Sequence, residues 1–409
     1  PMELIRRFVY IHAPYCAQKC AFCMYESEAV RTQAQIGEQA QALVGEIEAS
    51  ARAVASMDFD GMYFGGGTPS LFPEREFARI LSAARRAFSI TDRAVSTCEM
   101  HPHSATEEKI AIAVNNGMRR ISLGVQTLSP PVLRRVRRIP VDTRHIGKLV
   151  AFAQNSCDAQ ANVDLLAPLP GETLSSFMES INHVLDCGPD SVVLYFLQDY
   201  RKIYDDLRMA AEDLIHTPWR ELCGIFYQTA RASGYRIVPG ATNLVTAAIV
   251  CKDIGRYNQE NRYELFSRTP VSVLGIGKHA KSNIFGQLEY VNTGPVAAKG
   301  DHNENIFEGQ EKTLFDEALN MVFLHMRDSV PMDLAFFERT FGISAAMFLE
   351  EHFNILFERG HAQIAEGQFI CRMNFRNESK FWQFRDLMIQ KIYSVIINAG
   401  RSGCGEPCA

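Results

Sequence analysis

Three cysteines fall within eight residues near the start of the chain: Cys16, Cys20 and Cys23, in a C-x3-C-x2-C array. Thiolates so spaced on a short loop can point at one centre, and soft sulfur ligands suit zinc or an iron–sulfur cluster. A structural zinc takes four ligands, the last usually from a second knuckle or a His pair, and no second C-x2-C follows. His12 precedes the array at the end of an apolar run that reads as a strand, and is expected to face away from the loop. A cubane of four irons held by three thiolates keeps one iron without a protein ligand. That vacancy is what binding and reducing a small molecule requires. At this point zinc, unligated cysteines and a cluster all remain open.

Other segments could join such a centre. Gly65-Gly66-Gly67-Thr68-Pro69 follows a strand, and its missing side chains let backbone approach a ligand closely; the bland reading is a strand-to-helix turn. Glu99 ends a strand, where a carboxylate is more often a solvated cap than a ligand. Arg138 closes the basic run Arg134-Arg135-Val136-Arg137-Arg138, which as a run reads as a solvated face. Asp164 precedes the turn Leu169-Pro170-Gly171, and its bland reading is a buried turn cap.

The elements that must position these residues alternate. Apolar spacing predicts helices over 31–55, from Pro73 to Phe88, and over 106–115, 133–136, 145–154 and 175–185. Short apolar runs predict strands at 61–64, 95–99, 119–123, 161–166 and 191–197. Strands separated by helical crossovers argue for a parallel sheet of about six βα units. The fold class expected is α/β, a partial (β/α)6 TIM-like barrel with a C-terminal helical or winged-helix domain. In such a barrel the strand C-termini form the reactive face, so the cysteine loop, the Gly-rich loop, Glu99, Gln126 and Asp164 should gather at one mouth. Residues 1–200 read as the barrel core. Residues 201–304, less regular, read as its completion facing the substrate. Residues 305–400 read as the C-terminal domain and 401–409 as a disordered tail, where Cys404 and Cys408 are a weak metal signal.

Composition excludes some classes. The chain of 409 residues is 47% hydrophobic and 22% charged, with a formal charge of −5. A pI near 6.2 gives no footprint for nucleic acid or an anionic membrane. No apolar run of about 18 residues and no signal peptide stands out. Eleven cysteines without a framework pattern point to a reducing cytoplasm.

The cysteine array resembles the signature of the radical S-adenosylmethionine (SAM) superfamily. Its flank Tyr10-Ile11-His12-Ala13-Pro14-Tyr15-Cys16 resembles the branch typified by oxygen-independent coproporphyrinogen dehydrogenase, the HemN-like branch. The resemblance implies a 4Fe-4S cluster on Cys16, Cys20 and Cys23 whose open iron is chelated by SAM, which is reductively cleaved to a 5′-deoxyadenosyl radical. By the same resemblance, Gly65, Gly66, Gly67 and Thr68 match the segment whose backbone meets the methionyl amino group. Glu99 and Gln126 match SAM-contacting positions, and Arg138 matches an arginine near the SAM carboxylate. Asp164 matches a ribose-binding aspartate, Phe22 the aromatic at the adenine, and Tyr10 a tyrosine near the sulfonium. The partners implied are a small-molecule or peptide-bound substrate and an electron donor such as a flavodoxin or ferredoxin.

Departures bear on the substrate. Porphyrinogen-oxidising members carry a fourth cysteine one residue beyond the third, whereas Met24 and Tyr25 follow Cys23 here. Their long N-terminal segment contrasts with 15 residues before Cys16, and their HN-x2-YW stretch is replaced by residues 257–263. The expectation is carbon methylation, alkylation or cyclopropanation with two SAM molecules. The rivals are porphyrinogen dehydrogenase and a haem chaperone using His279 or His216 as an axial ligand.

Overall fold

The computed structural model describes residues 5–91, 96–197, 218–238, 247–255, 269–296, 304–372, 384–390 and 392. Residues His216, 257–263 and the tail 401–409, with Cys404 and Cys408, lie outside them. By its internal contacts the chain divides into a large unit, Met2–Glu317, and a smaller one from Ala318 onward.

The large unit is built on six parallel strands: β1 (Arg6–Ala13), β2 (Gly61–Gly66), β3 (Ser96–Met100), β4 (Met118–Gln126), β5 (Gln160–Ala167) and β6 (Ser191–Phe196). Each pairs in parallel with the next in sequence order, so the sheet advances one strand per crossover. The crossovers carry α1 (Gln33–Ala53), α2 (Glu74–Ala87), α3 (Glu107–Asn115), α4 (Pro130–Arg135), α5 (Thr143–Cys157) and α6 (Leu174–Asp186). This is the expected (β/α)6 arrangement.

Local chemistry sets the helix starts. Thr32 caps α1 by accepting from the Gln35 amide, while the Gln35 side chain accepts from the Thr32 amide, a reciprocal capping box. Ile36, Ala40, Leu43, Val44 and Ile47 then form the buried stripe of that helix. Strand alternation divides the residues between two faces. Val9, Ile11, Phe64, Cys98, Ile121, Val163 and Val192 enter the core beneath the helices. Tyr10, His12, Tyr63, Glu99, Arg120, Ser122, Asn162 and Asp164 alternate with them and line the opposite face, which is mainly polar.

The irregular-looking region after residue 200 contributes further strands; Val271–Ile276 reads as one in the sequence, and the others were not foreseen. β7 (Ala247–Cys251) pairs antiparallel with β6. On the other edge β8 (Val271–Ile276) pairs in parallel with β1. An antiparallel meander follows through β9 (Lys281–Ile284), β10 (Leu288–Val296) and β11 (Glu304–Glu311). With Arg236–Ile237 beside β7, the sheet has twelve strands among the described residues.

In the smaller unit, α7 (Leu334–Phe341) and α8 (Ala345–Glu358) are joined by a tight turn in which Gly342 takes φ 70°. The strand pair Ala362–Ala365 and Gln368–Cys371 follows and pairs with Met332–Asp333. Phe323, Phe337, Phe353 and Phe369 fill its interior. Two helices followed by a hairpin match the winged-helix expectation.

Candidate functional site at the strand ends

The cysteine loop runs from the end of β1 and returns along Glu28–Ala29, which pairs with Tyr15–Cys16. Two cations and an imidazole shape it. Lys19 Nζ donates to the Tyr25 carbonyl (2.8 Å), the Ser27 carbonyl (2.9 Å) and Ser27 Oγ (3.3 Å), holding the return limb. His12 corrects the sequence expectation, for it faces the loop. Its Nε2 lies 2.9 Å from the Glu26 carbonyl, which can only accept, so the proton sits on Nε2. Nδ1 is then the acceptor for the Tyr10 hydroxyl at 2.9 Å. Burial lowers the His12 pKa to about 4, consistent with a neutral ring used as a brace. The bond to Glu26 is made across 14 residues, so alternation along one strand could not reveal it.

Cys16, Cys20 and Cys23 are free thiols, each partly accessible. Thr68 Oγ1 donates to Cys16 Sγ at 3.3 Å, and Arg138 Nη1 to Cys20 Sγ at 3.4 Å. Burial pushes the Cys23 thiol up, and the neighbouring Cys16 and Cys20 add to this. A bound cationic centre inverts that penalty and holds thiolates deprotonated. Among the described residues no three His, Cys, Asp or Glu converge closely enough to hold a single metal ion. Three free, partly accessible thiols on one short loop are the donor type that an iron–sulfur cluster takes.

The Gly-rich loop packs against the protein itself. A Cβ on Gly65 would lie 2.7 Å from Glu99 Oε2, one on Gly66 2.7 Å from His12 Nδ1, and one on Gly67 2.6 Å from the Tyr15 carbonyl. Any side chain here would displace the cysteine loop, the brace or Glu99. Thr68 is buried, with its amide donating to the Tyr15 carbonyl at 2.9 Å.

Glu99 sits at the end of β3, and its Oε1 accepts from the Tyr63 hydroxyl at 2.5 Å. Burial and the adjacent Glu99 carboxylate hold the Tyr63 phenol well above its usual range. Gln126 ends β4 at φ 73°, next to a register shift between β4 and β5. A non-glycine residue in that region is strained, and a bulge at a strand end re-aims its side chain. Arg138 departs from the basic run: Arg134, Arg135 and Arg137 are exposed, while Arg138 is half-buried. Its guanidinium donates to the Gly124 carbonyl through Nη2 and lies 6.0 Å from the centre of the Phe22 ring. Phe22 rests on an apolar patch of Val132, Val136, Leu169 and Leu197.

Asp164 is held by groups to which the sequence reading assigned no role. Ser122 Oγ donates to Oδ2 at 2.7 Å, and Asn162 Nδ2 donates to Oδ1 at 2.7 Å. Ser191 Oγ in turn donates to Asn162 Oδ1 at 2.6 Å, so three adjacent strands fix one carboxylate. The turn after β5 rests on buried Glu172, which accepts from the Leu169 amide at 3.2 Å and Thr127 Oγ1 at 3.1 Å. His279, the haem-ligand candidate, packs edge-on against His12 with ring centroids 6.3 Å apart.

The sheet has six sequential βα strands, a three-thiol loop after the first and polar residues toward the ends of the others, the arrangement that the resemblance to radical SAM proteins leads one to expect. Residues 10–184 match the Radical SAM superfamily. Over that stretch the chain is similar to proteins of the HemN-like branch. It is 28% identical over 198 residues to an oxygen-independent coproporphyrinogen III oxidase of Bradyrhizobium diazoefficiens, covering 47% of this chain and 44% of that one. It is 30% identical over 198 residues to heme chaperone HemW of Mycobacterium tuberculosis, covering 46% and 49% respectively. The chain spans about half the length of the curated relatives it matches. The fold is that of coproporphyrinogen III oxidase (HemN) of Escherichia coli, with a TM-score of 0.72 at 19% identity over 94% of this chain and 89% of that one. The family implies a 4Fe-4S cluster and SAM. No described helix is long and apolar enough to cross a membrane.

Proposed function

We propose that this chain reductively cleaves SAM and uses the radical on an organic substrate, with carbon methylation, alkylation or cyclopropanation as the reaction class. One observation supports the SAM-cleaving part most: Thr68 and Arg138 donate to Cys16 and Cys20 of the three-thiol loop, and Arg138 also donates to Gly124, the register partner of the braced Asp164. Cys16, Cys20 and Cys23 hold the cluster, and Thr68 and Arg138 donate to two of its sulfurs. Arg138 pairs with the SAM carboxylate, Glu99 and the Gly65–Gly67 backbone with its amino group, and Gln126 with the same moiety. Asp164 accepts from the ribose hydroxyls, Phe22 packs at the adenine, and Tyr10 lies near the sulfonium. When bound, the cluster supplies one electron to SAM, and SAM supplies the 5′-deoxyadenosyl radical. The electron comes from a small donor protein such as a flavodoxin or ferredoxin, and the substrate is a small molecule or peptide-bound group.

The reaction class rests on Met24 and Tyr25, which stand at the fourth-cysteine region of porphyrinogen-oxidising members and are 68% and 59% exposed. A second SAM is then the carbon donor. The names of the relatives support a second reading, a tetrapyrrole substrate or haem binding. With methyl-deuterated SAM and the true substrate, a methylase gives S-adenosylhomocysteine and 5′-deoxyadenosine together, with label in the product. Loss of carbon dioxide with 5′-deoxyadenosine alone would favour porphyrinogen dehydrogenation. A Soret band on adding haem, with no SAM cleavage, would favour the chaperone.

A further inference from the structure

Arg120 lies on β4, with Thr97 of β3 and Gln160 of β5 as its register partners. The next layer toward the mouth is Glu99, Ser122 and Asn162, two residues along each strand, or about 7 Å at the strand rise. Alternation puts Arg120 on the same face as Ser122, and its charge reaches the Tyr63 hydroxyl on that face. Arg120 is only 6% exposed, and among the described residues its Nε has no hydrogen-bond partner. A guanidinium cannot shed its charge, so burial with an unmade hydrogen bond is costly.

The other cations of this unit show what a structural one looks like. Lys109, equally buried, spends its Nζ on the carbonyls of Ser70 (2.7 Å) and Ser104 (3.0 Å). Arg138 donates to Gly124 and Cys20. Arg120 differs in keeping a donor unspent inside a polar interior.

We propose that Arg120 docks a carboxylate of the substrate, one layer inward from the residues assigned to SAM. A planar fork matches a carboxylate in two parallel bonds. Glu99 in the adjoining layer and Asp164 in the one beyond it already place two carboxylates toward the mouth, so a monoanion balances Arg120 where a phosphate dianion meets repulsion. The substrate class is therefore an organic acid, anchored by its carboxylate, with its reacting carbon toward the mouth. The proposal rests on the SAM reading for the identity of that outer layer, and a parallel assay of SAM cleavage separates failure of the one from failure of the other.

The probe is [1-13C]acetate, followed by 13C transverse relaxation on cluster-reconstituted protein with saturating SAM and no reductant. SAM occupies Arg138, so that residue does not report. Wild type should show saturable acetate binding. Arg120→Met should weaken it about tenfold or more, the loss of a charge-assisted pair, while Arg120→Lys keeps part of it. SAM affinity should stay unchanged in both variants. Absence of saturable binding to wild type, whatever the variants do, would overturn the proposal, as would undiminished binding to folded Arg120→Met. Inorganic phosphate binding more tightly than acetate, read by 31P relaxation, would overturn the carboxylate assignment. Failure of wild type to form 5′-deoxyadenosine with dithionite in a parallel assay counts against the SAM reading and leaves the acetate result intact.

Discussion

Arg138 Nη1 reaches Cys20 Sγ at 3.4 Å across 118 residues of sequence, and its Nη2 donates to the Gly124 carbonyl. One guanidinium thus ties the cysteine loop to the end of β4, with Phe22 beneath it. A lysine has one compact ammonium and lacks the planar two-nitrogen fork that makes this pair of bonds. Arg138→Lys should weaken SAM binding by roughly 1–3 kcal/mol. It should also make the cluster potential more negative, because a donor to sulfur is lost. Anaerobic calorimetry and an EPR redox titration check the two effects, with exposed Arg135→Lys as the control. Equal behaviour of the two variants would return Arg138 to the solvated run.

Asp164→Asn keeps the shape but removes the charge that Ser122 and Asn162 are arranged to hold. SAM affinity should fall by about 1–3 kcal/mol through the ribose, with the cluster spectrum unchanged. A mutant that binds SAM like wild type makes the aspartate a structural member of the Ser191–Asn162–Asp164 network.

His12 braces the loop without touching a cysteine. His12→Phe loses the bonds to the Glu26 carbonyl and the Tyr10 hydroxyl. The expected result is lower iron retention after reconstitution and gel filtration, with far-UV circular dichroism unchanged. His12→Gln, whose amide can both donate and accept, should recover part of it. Full iron retention in His12→Phe would show that the brace is dispensable.

Glu172 supplies a pH test. Its carboxyl is buried and raised to about 7 from the usual 4.5, chiefly by desolvation, against the bonds from Leu169 and Thr127. The folded state therefore binds the extra proton, and its contribution is fully present below 4.5 and lost as pH rises through about 7. Urea unfolding of the apoprotein should show stability falling over that window, on the order of 2–3 kcal/mol at most. Glu172→Gln should flatten that fall and be the more stable form at pH 8. An unchanged slope would place the titrating group elsewhere.

Much of the βα core was legible because each strand is a short apolar run between helices of clean periodicity. Val271–Ile276 reads the same way although it closes onto β1 from far along the chain. The meander was not legible: Glu304–Glu311 reads ENIFEGQE, and polar or charged residues on most positions hide the period of two. Site residues that sit on recognisable segments, such as Glu99 and Asp164, were found from their place at strand ends. The groups that hold them were not. Tyr63, Lys19 and Asn162 act through partners that only the tertiary structure brings near, and His12 was expected on the wrong side for the same reason.

The central claim is that Cys16, Cys20 and Cys23 carry a SAM-cleaving cluster. Anaerobic reconstitution of wild type, followed by dithionite and SAM, should give about four irons and four sulfides per chain and release 5′-deoxyadenosine. Cys16→Ala, Cys20→Ala and Cys23→Ala should each abolish that release, whereas the double change of Cys404 and Cys408 to Ala should not. A triple cysteine variant that still forms 5′-deoxyadenosine would contradict the account.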